Sequence, residues 1–351
     1  MRAWAGVLVF LLSRPAVLPA QEPRAQAPPQ LRVTTTVERV NVDLAVADAH
    51  GAPVAGLARG QFHVFDNGVE QPITDFSAVE DPVRLLLLVE ISPAVYMLSQ
   101  EHVLAAYRLL DGLAPGDAVA LATYDDRLHG VLGFTTDKSL VAEALGRLQF
   151  SLGMARLNLF GGLADAVGIL ASPAPPAAAG QPAIPPGRVA IVLLSTGLSD
   201  VRDPGTGEAL HERLLTSGVA VYPVALGGAL RTPPKKPASK SPSPFATGGP
   251  TPAEAAAAFA LADHDLKDFA ETSGGRACFP RTGKELDADY RQIAATMRHL
   301  YSLAFIPPAH DGKIHTLRVE VRDAAGRPMA PREGRNAWQV LARPAYRAPA
   351  P

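Results

Sequence analysis

The chain has 351 residues, of which 47% are hydrophobic, so it is long enough for one large or two modest domains with a substantial core. Its formal net charge of −1 gives no sign of a nucleic-acid partner or of an anionic membrane. Cys278 is the single cysteine, which excludes an intramolecular disulfide and any zinc site built from several cysteines.

The first residues have the features of a secretory signal peptide, predicted over 1–20. Arg2 supplies a positive charge, residues 3–12 form an apolar run, and Ala20 is a small residue at the cleavage point. The run is shorter than the ~20 residues that span a bilayer, and no later segment is suited to cross one. We therefore expect export to the periplasm or the cell exterior, with no transmembrane segment after cleavage. Residues 21–30 are interpreted as a flexible leader.

Residues 31–80 predict the first part of a β-rich domain. Apolar and polar side chains alternate over 40–46, a pattern typical of a half-buried strand. A short strand follows over 62–64, and Asp66-Asn67-Gly68 predicts a hairpin turn. Residues 69–76 are then expected to return as the partner strand.

From Arg84 the pattern changes to strands that alternate with helices. The continuous apolar run 85–89 is typical of a strand buried on both faces. Further strands are predicted over 118–124, 128–134, 189–194 and 219–226, and helices over 100–113, 138–148, 162–170, 208–217, 261–272 and 284–299. This alternation predicts an α/β domain over 82–300, a doubly wound, mostly parallel sheet with helices on both faces. Its ligand crevice is expected at the carboxyl ends of the strands.

Two segments rich in proline interrupt the predicted α/β domain, at 173–187 and 228–252. Both are expected to be flexible surface inserts. The second carries four basic residues and no acidic one, so it is either a solvated loop or a surface that attracts an acidic partner.

After residue 300 the alternation of a half-buried strand returns. Strands are predicted over 301–306, 315–321 and 338–341. Neither these strands nor the early ones bury a full sandwich alone, so we expect 301–345 to complete the β domain begun at the amino terminus.

Three segments carry a resemblance to a known family. The first runs from Val40-Asn41-Val42-Asp43 through Gly56-Leu57 to Phe62-His63-Val64-Phe65-Asp66-Asn67-Gly68 and Gln71-Pro72-Ile73. The second is the core with Glu90-Ile91-Ser92-Pro93-Ala94 and 189–197, and the third is Thr272-Ser273-Gly274-Gly275-Arg276-Ala277 followed by Tyr301-Ser302-Leu303-Ala304-Phe305. In this order they resemble the bacterial family of exported VWFA-related proteins, over roughly residues 31–345. The resemblance implies a von Willebrand factor A (vWA)-like, Rossmann-like domain. It also implies a metal-ion-dependent adhesion site, where Mg²⁺ binds a partner's carboxylate.

The chain departs from the family's ligand pattern, which is Asp-x-Ser-x-Ser followed by a distant Thr and Asp. Glu90 stands at the first position, Ser92 matches, and Ala94 replaces the second Ser. Gly161 and Thr196 stand where the distant Thr and Asp are expected. Mg²⁺ prefers a near-octahedral shell of hard oxygen ligands. We therefore expect no cofactor and no metal; if an ion binds at all, Glu90 and Ser92 would hold it.

The sequence lacks the Gly-x-Ser-x-Gly, phosphate-loop and His-Glu-x-x-His motifs of common enzymes, so no catalytic residue is predicted. The histidines show no metal-ligand spacing, and Asp125-Asp126 is interpreted as a turn. We predict a non-catalytic, exported protein-binding or adhesion-type module with a degenerate adhesion site and a protein partner. The predicted binding rim consists of Glu90, Ser92, Asp125, Asn158, Thr196 and Asp200.

Two alternatives remain open. The first is a metal-dependent adhesin that binds Mg²⁺ or Mn²⁺ in a site rebuilt with Asp125, Asn158 or Asp200. The second is a hydrolase with an unrecognised site. Dependence of partner binding on divalent ions would distinguish the metal-dependent adhesin from the metal-free module. Hydrolase activity that is lost on substitution of a single Asp would indicate the hydrolase.

Overall fold

The computed structural model describes residues 39–79, 82–92, 99–148, 156–172, 188–231, 251–323, 325–329 and 338–350. The predicted signal peptide, the leader and the insert 173–187 lie outside the described residues. No described helix is both long and apolar enough to span a membrane.

The described strands are β1 (Val40–Ala47), β2 (Phe62–Asp66), β3 (Val69–Gln71), β4 (Ile73–Val79), β5 (Val83–Glu90), β6 (Ala118–Tyr124), β7 (Leu128–Thr135), β8 (Arg188–Ser195), β9 (Ala220–Ala225), β10 (Leu300–Phe305), β11 (Ile314–Val321), β12 (Gln339–Ala342) and β13 (Ala345–Arg347). The described helices are α1 (Ser99–Gly112), α2 (Lys138–Gly146), α3 (Leu159–Ala171), α4 (Pro204–Thr216), α5 (Gly228–Arg231), α6 (Pro252–Ser273) and α7 (Gly283–Arg298). A short 3-10 helix covers Arg59–Gln61.

The central sheet has the strand order β7-β6-β5-β8-β9 and is parallel except for the edge strand β7. Successive side chains of β5 point to opposite faces. Leu85 and Leu87 pack in one core cluster with α1, α2 and α7, whereas Leu86 and Leu88 pack in another with α3, α4 and α6. Both faces of the sheet are therefore covered, which explains the continuous apolar run. The predicted doubly wound α/β fold is confirmed.

The remaining strands form two antiparallel sheets, in the orders β12-β1-β10-β4 and β13-β11-β2-β3. Strand β1 pairs with β10, so that Val42 lies opposite Leu303. A shared core that includes Phe62 and Tyr301 fills the space between the sheets. The early and late strands thus combine into a β-sandwich, as the fold class predicted. The domain bounds given above stay predictions.

The predicted return strand over 69–76 is wrong as a single strand. It is divided at Pro72 into β3, which pairs with β2, and β4, which pairs with β10 in the other sheet. Proline has no N–H to donate to a strand ladder. The break at Pro72 lets the chain pass from one sheet of the sandwich to the other.

The predicted flexible insert 228–252 is wrong at both ends. Gly228–Arg231 form the short helix α5, and α6 begins at Pro252 rather than at residue 261. Thr251 caps α6 and forms a capping box with Glu254, and Pro252 occupies the first turn, where a missing N–H costs nothing. Residues 232–250 of the insert lie outside the described part of the chain.

Candidate functional site

Glu90 lies at the carboxyl end of β5, in the middle of the central sheet. The register places it beside Tyr124 of β6, and the pairing of Val89 with Leu194 places it beside Ser195 of β8. Residues in register on neighbouring strands point to the same face. The three polar side chains therefore meet at the edge of the sheet where the sequence predicted the crevice.

The Glu90 carboxylate accepts hydrogen bonds from side chains and backbone around it. Ser92 Oγ lies 2.5 Å from Oε1, and Ser195 Oγ and the Thr196 backbone nitrogen lie 3.0 and 2.6 Å from Oε2. Thr196 Oγ1 lies 2.9 Å from both oxygens. The Tyr124 hydroxyl lies 3.2 Å from Oε2 and 2.7 Å from Ser195 Oγ. We call these five residues the Glu90 cluster.

The Glu90 cluster is closed to solvent. Glu90 and Tyr124 are each 0% exposed, and Ser92, Ser195 and Thr196 are also buried. Burial raises the pKa of Glu90, although hydrogen bonds from Ser92, Thr196 and Ser195 act in the opposite direction. Burial and the nearby carboxyl also raise the pKa of Tyr124, so its hydroxyl remains a donor. A buried carboxyl of this kind is tolerated because its oxygens are paired.

The Glu90 cluster does not fit Mg²⁺. An octahedral ion needs oxygen ligands at ~2.0–2.1 Å and usually keeps several waters. Here Ser92 and Thr196 direct their hydroxyls to the Glu90 carboxylate rather than into open space. At Gly161, the position of the family's distant Thr, a side-chain carbon would lie 2.4 Å from Asn158 Nδ2. Ala94, the other departure from the ligand pattern, lies outside the described residues.

The structure separates the predicted rim residues into two groups. Glu90, Ser92 and Thr196 come together in the Glu90 cluster, whereas Asp125, Asn158 and Asp200 do not hydrogen-bond to it in the described chain. These three instead connect the loops that follow the strands. Asn158 caps α3 and donates its N–H to the carbonyl of Asp125 over 2.7 Å, and the Asp200 carboxylate accepts the Leu157 N–H over 2.8 Å.

Sequence reasoning missed three residues of the site. Tyr124 ends one predicted strand and Ser195 directly follows another, but only the register of the strands shows that both contact Glu90. Arg231 was assigned to a flexible basic loop, yet its guanidinium donates to the carbonyl of Thr196, pairs with Asp263 at 2.7 Å and lies over the Phe259 ring. Arg231 therefore fixes the backbone of Thr196, which belongs to the Glu90 cluster.

The turn between β6 and β7 brings Asp125, Asp126 and His129 together. One ligand atom from each lies within 4.8 Å of the others, a grouping that the sequence spacing did not indicate. His129 Nε2 lies 2.8 Å from Asp125 Oδ1. Partial burial acts to raise the pKa of Asp125, but several hydrogen bonds, with that of His129 the strongest, together lower it. This group lies outside the Glu90 cluster.

No family model matches the sequence, and no curated protein matches it. Among solved structures, an aerotolerance-related membrane protein from Bacteroides fragilis NCTC 9343 is 17% identical, with a TM-score of 0.39 over 61% of this chain and 98% of that chain. BatB from Bacteroides thetaiotaomicron is 16% identical, with a TM-score of 0.40 over the same shares. A von Willebrand factor type A protein from Catenulispora acidiphila is 12% identical, with a TM-score of 0.43 over 88% of this chain and 74% of that chain.

These identities and TM-scores are low, so the assignment of the fold rests on the chain's own topology. Strand β5 is central, β7 is the antiparallel edge strand, and helices cover both faces. Glu90 ends the first parallel strand, where the resemblance places the first residue of the adhesion motif. On these features, the region from β5 to α7 has the vWA-like fold.

Proposed function

We propose that the chain is a non-catalytic, exported protein-binding module whose strand-end site works without a metal ion. One observation carries this proposal: the Glu90 carboxylate is fully buried and both its oxygens accept hydrogen bonds from the Glu90 cluster. In the family that the sequence resembles, the residue at this position is a ligand of the ion that binds a partner's carboxylate. Here the hydroxyls of Ser92 and Thr196 bond to the buried Glu90 carboxylate, so we assign partner binding to the loops around the Glu90 cluster.

The same geometry argues against catalysis at this edge of the sheet. A general base must lie within about 2.6–3.2 Å of the proton that it removes from the substrate. Glu90 is inaccessible to a substrate, and Ser92 and Ser195, whose hydroxyls contact its carboxylate, are buried with it. The hydrolase alternative therefore gains no support from the Glu90 cluster.

The exposed loops around the cluster suit a protein partner. Asp126, Arg127, Arg156 and Asp200 are exposed at the carboxyl edge of the sheet and carry charges of both signs. Rims of protein interfaces are polar and solvent-accessible in this way. Export is supported by the predicted signal peptide over 1–20.

A second candidate function is favoured by one specific observation. The grouping of Asp125, Asp126 and His129 offers two carboxylates and an imidazole, a donor set suited to a divalent transition metal. An adhesin whose ion sits in the β6–β7 turn would then require that ion for partner binding.

Affinity capture from the native envelope tests the proposal. We expect the purified chain to retain one partner equally with and without a chelator, because the Glu90 cluster needs no ion. Reversing a rim charge with Arg156→Glu should weaken retention. Arg108→Glu is the matched control, because Arg108 is 61% exposed near the end of α1, which leads back to the start of β6 at the opposite edge of the sheet, and should leave retention unchanged. Retention that disappears with chelator would favour the second candidate function. Retention unaffected by Arg156→Glu would contradict the assignment of partner binding to the loops at the carboxyl edge of the sheet.

A further inference from the structure

A cavity lies at the opposite end of the central sheet, where its parallel strands begin. Its walls come from the first residues of β5, β8 and β9, the end of α6, and strands β1 and β12 of the sandwich. We call it the interface cavity. Its volume of about 180 Å³ is many times the roughly 10–15 Å³ that one water needs.

Two arginines and one carboxylate line the interface cavity. Arg188 begins β8, its side chain is 8% exposed, and its Nε lies 3.6 Å from Asp43 Oδ2. Arg343 follows β12 and donates to the Asn41 carbonyl over 2.7 Å. Among the described lining residues, Asp43 is the one acidic side chain, and it also accepts a hydrogen bond from Ser302. The lining therefore carries an excess of positive charge.

Arg343 accounts for that excess. It forms no ion pair with any residue in the described ranges, and its guanidinium makes a single hydrogen bond there, to a neutral carbonyl. Burial lowers the pKa of Arg343, with nearby Asp43 opposing the effect, yet a guanidinium remains protonated in proteins. A partly buried guanidinium without an acidic partner in the described ranges is stabilised by an oxyanion, which the fork of an arginine binds through two parallel hydrogen bonds.

The rest of the wall suits a small organic or inorganic anion. Tyr222 also lines the cavity, and burial raises the pKa of its hydroxyl to about 12, which keeps it a donor at neutral pH. Met297 and Leu341 supply apolar surface. Ligand sites commonly combine apolar walls with a few placed polar groups, and they often lie between domains.

An open groove on the surface shares the same arginine with the interface cavity. The groove has a volume of about 400 Å³ and is lined by Arg39 and Arg347, and it shares Asn41 and Arg343 with the interface cavity. Arg39 and Arg347 pair with acidic side chains that do not line the groove, and none of its described lining residues is acidic. Arg343 is thus the one lining arginine of the groove without an acidic partner among the described residues.

We propose that the interface cavity is a binding site for a small oxyanion, a carboxylate or a phosphate, held by Arg343 and Arg188. This site is independent of partner binding at the carboxyl edge of the sheet. The ligand would bridge the sandwich, through Arg343, and the α/β region, through Arg188, and so would stabilise the contact between them.

Calorimetry with two probes, inorganic phosphate and succinate, tests the proposal. We expect a saturable one-site isotherm with at least one probe at millimolar concentrations, and the probe that binds identifies the ligand as a phosphate or a carboxylate. Arg343→Gln should weaken binding by roughly 10- to 100-fold. The matched control is Arg108→Gln, which alters an arginine 61% exposed on α1 and should leave the affinity unchanged.

Absence of a saturable isotherm with both probes, or equal affinity in Arg343→Gln, would overturn the proposal. A measurement on the unaltered chain covers the case in which Arg343→Gln does not fold. Phosphate or succinate should raise the Tm above that in chloride at the same ionic strength, because a ligand of the folded state stabilises it. Equal Tm values with all three anions would also overturn the site.

Discussion

Replacing Glu90 with alanine is expected to lower the free energy of unfolding by about 3–5 kcal/mol. The substitution removes the acceptor for Ser92, Tyr124, Ser195 and Thr196, all of which are buried. Donors left unpaired in a buried space cost their full desolvation penalty. Urea denaturation measures the effect as a lower midpoint with an unchanged slope.

Glu143→Ala is the matched control for this prediction. Glu143 is 53% exposed on α2 and pairs with Arg147 at the surface, so its loss should cost no more than about 0.5 kcal/mol. If Glu90→Ala costs no more than this control, the Glu90 cluster does not stabilise the fold.

The pH dependence of Glu90→Gln follows from the same cluster. Because burial raises the folded-state pKa of Glu90 above its usual 4.5, the folded chain holds this proton more tightly than the unfolded chain. Glu90 therefore contributes stability that is fully present below the unfolded pKa and is lost as pH rises through the folded pKa. The advantage of the native chain over Glu90→Gln should shrink across that window in urea titrations. An advantage that grows with pH would contradict the raised pKa.

Replacing His315 with alanine is expected to cost about 3–5 kcal/mol, because it leaves a buried carboxylate without its partner. His315 Nδ1 lies 2.8 Å from Asp66 Oδ1, and the two side chains are 7% and 1% exposed. Asp311 lies 3.3 Å from Nε2, and the Tyr346 ring packs edge-on against the imidazole. This contact joins β2 to β11, and thus the early strands of the sandwich to the late ones.

The same sheet offers a control with the same chemistry. His63 and Glu70 form a histidine–carboxylate pair between β2 and β3, with Nδ1 2.6 Å from Oε1, but Glu70 is 50% exposed. His63→Ala should therefore cost less than about 1 kcal/mol. Thermal or urea unfolding compares the two variants, and equal losses would contradict the role given to burial. Adding Asp66→Ala to His315→Ala should recover part of the loss, because the buried carboxylate that lost its histidine is then removed as well.

The sequence predicts the central sheet well, because its signals are local. The apolar run 85–89 is itself the mark of a strand covered on both faces, and Glu90 follows it directly. The position of the candidate site at the end of β5 could therefore be predicted. The split at Pro72 and the early start of α6 were missed, although Pro72 and the Thr251 cap are local signals as well.

The closure of the site could not be predicted from the sequence, because it depends on register and packing. Glu90 reaches Ser195 and Thr196 over more than a hundred positions of sequence separation. Asp66 and His315 are separated by 249 positions. Arg231 was assigned to a loop because its neighbours in sequence are prolines and lysines, whereas its contacts come from residues brought near by the fold.

Calorimetry with Mg²⁺ or Mn²⁺ tests the central proposal most directly, that the strand-end site around Glu90 works without an ion. At millimolar concentrations we predict no saturable isotherm that depends on Glu90. Glu90→Gln and Asp125→Asn are measured beside the native chain, because the Asp125, Asp126 and His129 grouping is the other described place where an ion could bind. A stoichiometric isotherm that Glu90→Gln abolishes and Asp125→Asn retains would contradict the account.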